Sequence, residues 1–188
     1  MRHPVQSYFN QLSVALAAVS SQDLDRATLR LLEAYDRDST VFVIGNGQSA
    51  TSSTAFALDL TKQSLTSPEQ QRVRIISLAD NIAALTAWAN DVRYEVIFTE
   101  QLRALWRPGD LLLAVSVSGN SPNVVHACRW ARNAQGSVVA LTGFQGGLLA
   151  SIAASCIVVP SSDFGIVETA HVAIMHYWVD LFRERLAP

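Results

Sequence analysis

The sequence predicts an α/β protein in which a parallel sheet carries helices on both faces. Five short apolar or β-branched runs alternate with segments of helical spacing: TVFVI (40–44), VRIISL (73–78), LLLAV (111–115), SVVALT (137–142) and CIVVP (156–160). The runs are continuously apolar rather than alternating, which is the pattern of strands buried on both sides. Loops of small polar residues follow the first and third runs, GNGQS (45–49) and SVSGNSPNV (116–124). Open parallel sheets bind ligands beyond the carboxyl ends of their strands, where such loops lie.

The elements follow in order. Residues 4–36 read as mostly helical, with apolar positions at Leu12, Val14, Leu16, Val19, Leu24, Leu29, Leu31 and Leu32. Within that stretch Ser21-Gln22-Asp23 offers a break and a new N-cap. Helical spacing returns at 48–63, 80–105, 122–134, briefly near 147–152, and finally over 164–186. Crossovers between the strands should be right-handed. No stretch reads as a linker, a repeat or a low-complexity tract. The expected organisation is one domain over 1–188, with a helical arm at 1–36 and an α/β core at 37–188.

Composition narrows the function. With 188 residues, 49% of them hydrophobic and 16% charged, the chain can bury a sizeable core. A net charge of −2 without a Lys/Arg run argues against nucleic acid as partner. The opening MRHPVQSYFNQL lacks an apolar signal core, and no apolar run approaches the roughly 20 residues that cross a bilayer. A cytoplasmic protein with no membrane partner is expected. Cys128 and Cys156 are then expected as buried thiols rather than a disulfide.

Of the two loops, GNGQSA has the G-x-G-x-x-A form of a dinucleotide turn. The acidic residue such a site needs about 20 positions on is missing, because the second strand ends at Leu78-Ala79-Asp80. The second loop is more specific. Ser116, Ser118 and Ser121 bracket Gly119-Asn120, and Pro122 stands where a helix would begin. Three hydroxyls with backbone N–H groups at a helix start suit a phosphate dianion. No lysine accompanies them, which fits a sugar monophosphate better than a nucleoside triphosphate with magnesium.

GNGQS, NDVRYE (90–95) and SVSGNSPNV, in that order and spacing, resemble the sugar isomerase (SIS) domain family, in particular its phosphoheptose isomerases. The resemblance runs from the helical arm to the final helix. It implies a three-layer, flavodoxin-like fold with a five-stranded parallel sheet, and homotetramers with active sites at subunit interfaces. It also implies isomerisation of sedoheptulose 7-phosphate to a heptose 7-phosphate. Ser116, Ser118 and Ser121 would hold the phosphate, while Asn46, Ser49 and Asp91 would contact the sugar.

Such an isomerisation needs a base for a carbon-bound proton and an acid for the oxygens. The family carries a histidine and a glutamate four residues apart after the GNG loop. Ala55 and Asp59 stand there in this sequence. On the last helix, FGIVETAHVAIMHYWVD (164–180), His176 matches the family's catalytic histidine and Glu168 falls where glutamine is usual. Asp59, Glu168 and His176 are therefore the expected catalytic residues, with His171 a weaker candidate. Some relatives hold zinc through the four matching positions. With Ala55 replacing one ligand, no metal or other cofactor is expected here. Gln63 occupies the place of a family arginine, with Lys62 beside it. The competing expectation is a non-catalytic SIS module that binds a sugar phosphate or a protein partner.

Overall fold

The computed structural model describes residues 4–187. Five parallel strands form one sheet in the order β2-β1-β3-β4-β5: β1 Val41–Gly45, β2 Ile75–Ser77, β3 Leu111–Ser116, β4 Ser137–Gly143 and β5 Ser155–Val159. Each strand leads through a helical segment into the next, and all four pairings are parallel. The helices are α1 Val5–Ala17, α2 Ser21–Asp36, α3 Gln48–Lys62, α4 Ile82–Asp91, α5 Thr99–Leu105, α6 Pro122–Asn133, α7 Leu149–Ile152 and α8 Phe164–Arg185.

The alternation along β1 shows why the runs are apolar throughout. Val41 and Val43 face a core shared with α1, α2, α3 and α8. Phe42 and Ile44 face the other core, with α5, α6 and α7. Both sides of each central strand are thus shielded from water, giving the three layers expected. The chain runs from β1 outward to β2 and then returns to β3 on the other side of β1. That reversal opens a crevice between the ends of β1 and β3.

Three details differ from the sequence expectation. The N-cap of α2 is Ser20, one residue earlier, and its hydroxyl accepts from the Asp23 N–H at 3.2 Å. The second strand shrinks to Ile75–Ser77, an edge strand with a partner on one side only. The expected helix over 80–105 breaks after Asp91, passes through a 3-10 turn at Tyr94–Val96 and resumes as α5. The break drives Val96, Ile97 and Phe98 into the interior while Tyr94 stays half in solvent. Neither Pro nor Gly marks it, so periodicity alone could not place it.

Trp178 on α8 is wholly buried. Its indole N–H donates to Thr28 Oγ1 at 2.9 Å and ties α8 to α2. Replacing Trp178 with alanine should cost about 3–5 kcal/mol of stability, as large-to-small core changes do. Urea unfolding of the variant measures it. Cys128 and Cys156 are free thiols, as expected, the first buried and the second half-buried. Burial pushes the Cys128 thiol up to about 12, so it stays protonated and inert. Among the described residues, no helix is long and apolar enough to cross a membrane.

Candidate active site

Gly45 ends β1 where only glycine fits. A Cβ there would sit 2.8 Å from the backbone carbon of Ser49. The missing side chain lets α3 begin directly against the strand end. Asn46 and Ser49 are thereby turned toward the crevice, Ser49 buried and Asn46 half-buried.

The serine loop leaves β3 on the other side of the crevice. Ser116 is buried, and its hydroxyl lies 3.3 Å from that of Ser121. Ser121 occupies the N-cap of α6 yet makes no capping hydrogen bond with its side chain, so the hydroxyl is directed to the crevice side. Gly119 turns the loop with φ of 63°. The segment after β4 then clamps it. The Leu149 N–H donates to Gly119 O at 3.1 Å, and the Leu148 N–H donates to Asn120 Oδ1 at 2.9 Å.

Together these elements enclose a cavity of about 180 Å³ lined by Asn46, Ser49, Ser116, Ser118, Ser121, Phe164 and Glu168. Five of the six expected substrate residues thus meet Glu168, which α8 brings from the far end of the chain. No Lys or Arg is among the lining residues, so a phosphate here would rest on hydroxyls and backbone dipoles. Asp91 is not in the cavity of this chain. It ends α4, exposed, and accepts from Asn90 Nδ2 at 2.8 Å. From the same NDVRYE stretch it is Tyr94 that reaches inward, its hydroxyl donating to Asn46 Oδ1 at 3.0 Å.

Asp59 and His176 come together elsewhere, in a narrow cleft between α3 and α8 that also includes Ser52, Ala55 and Met175. His176 Nδ1 lies 3.9 Å from Asp59 Oδ2. Gln63, at the place of the family arginine, donates to Asp59 Oδ1 at 2.6 Å, and this bond orients the carboxylate. His176 is 61% exposed, because the buried face of α8 is built by Ile166, Val167, Ala170, His171, Ile174, Met175 and Trp178. Glu168 precedes His176 by eight residues and Ser49 precedes Asp59 by ten. At 1.5 Å per residue the pair therefore stands about 12–15 Å along the α3–α8 seam from the serine cavity.

The donors do not fit a zinc ion. Ala55 offers no ligand atom, Glu168 lines the other cavity, and no three His, Cys, Asp or Glu side chains gather as a metal site among the described residues.

His171, the weaker candidate, lines neither cavity. It is buried with Nε2 3.1 Å from Thr142 O, which fixes the proton on that nitrogen, and its Nδ1 has no partner among the described residues. Burial lowers its pKa from 6.5 to about 4. The unfolded chain therefore takes up this proton first as pH falls. The contribution is full above pH 6.5 and is lost between pH 6.5 and about 4, amounting to about 3 kcal/mol. Urea unfolding across that range should show the loss, and His171→Gln should flatten it.

The SIS domain family matches residues 7–143. The chain belongs to that family. Phosphoheptose isomerases are among the proteins it resembles. It is 40% identical over 147 residues to the phosphoheptose isomerase of Mycobacterium bovis, covering 78% of this chain and 74% of that one. Against the phosphoheptose isomerase of Syntrophotalea carbinolica the identity is 34% over 185 residues, 97% of this chain and 93% of that one. The solved structure of the phosphoheptose isomerase from Neisseria gonorrhoeae superposes with a TM-score of 0.87 at 28% identity, covering 96% of this chain and 97% of that one. In this SIS chain, no role was legible in the sequence for Tyr94, Asn120 or Asn123, whose side chains bond to Asn46, the Leu148 N–H and Asn46 in turn. All three lie inside the quoted motifs, and their uncharged side chains carry no signal beyond that position.

Proposed function

We propose that this SIS protein is an aldose–ketose isomerase for a phosphorylated sugar, with sedoheptulose 7-phosphate as its first candidate substrate. The observation that carries the reading is the cavity at the β1–β3 crevice, where Asn46, Ser49, Ser116, Ser118, Ser121 and Glu168 converge from three separate parts of the chain. Similarity to phosphoheptose isomerases over nearly the whole chain supports it.

The serine loop holds the phosphate, and Asn46 and Ser49 contact the sugar. A carboxylate removes a proton from C1 of the ketose, and charge moves onto the C2 oxygen. That oxygen is protonated, the C1 hydroxyl gives up its proton, and return of a proton to C2 yields the aldose. Asp59, Glu168 and His176 share these transfers. The reading needs no metal: Ala55 offers no ligand atom beside Asp59 and His176.

The gap between the serine cavity and the Asp59–His176 pair supports an interface active site in a homotetramer, with neighbouring copies completing each other's site and Asp91 reaching the sugar of a neighbour. Exposed apolar side chains support such contacts. Among them are Val5, Phe9 and Val14 on α1, with Ile82 and Trp88 on α4, a helix with no buried side chain. A cytoplasmic location is part of the same proposal.

Carbon NMR of the purified protein with sedoheptulose 7-phosphate tests the reading. Appearance of an aldose heptose 7-phosphate is expected. Saturable binding without any aldose would instead indicate a non-catalytic sugar-phosphate module.

A further inference from the structure

Asn46 sits in a hydrogen-bond network whose polarity the backbone decides. The Val124 N–H can only donate, and its acceptor at 3.0 Å is one end of the Asn123 side-chain amide, which must be Oδ1. The other end of Asn123 is therefore Nδ2, and it donates to Asn46 Oδ1 at 2.8 Å. Asn46 Nδ2 donates back to Asn123 Oδ1 at 2.8 Å. The Tyr94 hydroxyl supplies a second donor to Asn46 Oδ1 at 3.0 Å. Asn123 is fully buried at the first turn of α6, so its amide has no solvent alternative.

The count of donors and acceptors leaves one group over. Both lone pairs of Asn46 Oδ1 are taken, and one of its two N–H bonds is spent on Asn123. What Asn46 offers to the cavity it lines is a single N–H donor and no acceptor. We infer that Tyr94 and Asn123 are positioning residues, which lock the Asn46 amide so that it donates a hydrogen bond to an oxygen of the bound sugar. Such a donor is most valuable where negative charge grows on oxygen, as it does on an enediolate. The clamp also selects for a ligand oxygen with a free lone pair at that point and disfavours a ligand that presents only a donor there. Its catalytic consequence rests on the isomerase reading, but the polarity of the network does not.

Two measurements separate those claims. Tyr94→Phe removes one hydroxyl from a ring that is 53% exposed, so the melting temperature should stay unchanged. Its kcat for sedoheptulose 7-phosphate should fall about five- to ten-fold, the worth of one hydrogen bond, with KM nearly constant. In an Asn46→Ala background, adding Tyr94→Phe should change nothing further. An equal loss in both backgrounds, or none in either, would overturn the positioning role. Independently of turnover, the Asn46 side-chain amide resonances in a nitrogen-15 spectrum should move in Tyr94→Phe, and unmoved resonances would overturn the clamp itself. A wild-type protein that is inactive on the sugar but passes the spectral test would fail the isomerase reading while leaving the clamp standing.

Discussion

Replacing His176 with alanine is expected to lower kcat by about 10²- to 10⁴-fold, the usual worth of a positioned general acid or base. Binding of the sugar phosphate should change little. The separation follows from the geometry: His176 belongs to the Asp59 cleft between α3 and α8, whereas the hydroxyls suited to phosphate line another cavity. The fold should also tolerate the change, because His176 is largely exposed and its contact with Asp59 is 3.9 Å long. A long contact whose histidine is this exposed contributes at most about 1 kcal/mol. Steady-state kinetics with parallel calorimetric binding of the sugar phosphate checks the expectation. Asp59→Asn should give a comparable loss, since Gln63 and His176 would then face an amide instead of a charge.

Gly119→Ala is expected to do the reverse, damaging both the fold and ligand binding. A Cβ at this position would lie 2.1 Å from the carbonyl oxygen of Gly146, and the residue's φ of 63° is itself unfavourable for alanine. The left-handed conformation alone costs about 1 kcal/mol for alanine. The clash must in addition push apart the serine loop and the segment that clamps it, for a total of about 3 kcal/mol or more. Gly109→Ala provides the comparison. Its φ is 95°, but the nearest atom to an added Cβ is Ser39 Oγ at 3.4 Å, far less severe. Gly109→Ala should therefore lower stability by about 1 kcal/mol and leave sugar-phosphate affinity unchanged. Thermal unfolding together with calorimetric titration of both variants distinguishes the two mechanisms.

The contrast between these sites shows what a single sequence displays. The strands were legible because both faces of β1, β3 and β4 are buried, which forces unbroken apolar runs. The serine loop was legible because phosphate-binding geometry needs small hydroxyl residues and a glycine in a fixed local order, and all of them lie within nine residues. The break after Asp91 was not legible. Val92 and Arg93 carry no chain-breaking chemistry, and the interruption is stabilised by distant contacts of Val96, Ile97 and Phe98. Burial along α8 was not legible either, for a related reason. His171 and His176 differ by five residues, enough to place one beneath β4 and the other on the surface, and both are flanked by similar apolar neighbours. The Tyr94–Asn46–Asn123 network joins residues 48 and 77 positions apart, so only the fold could bring it to light.

On the proposed reading, the cavity at the β1–β3 crevice serves an enediol isomerisation of a sugar phosphate. Incubation with sedoheptulose 7-phosphate in deuterated buffer, followed by proton and carbon NMR, tests it most directly. Proton abstraction by a side chain in exchange with solvent predicts deuterium at C1 of the recovered ketose and at C2 of the aldose product. Binding of the sugar phosphate with no deuterium at either carbon would contradict it.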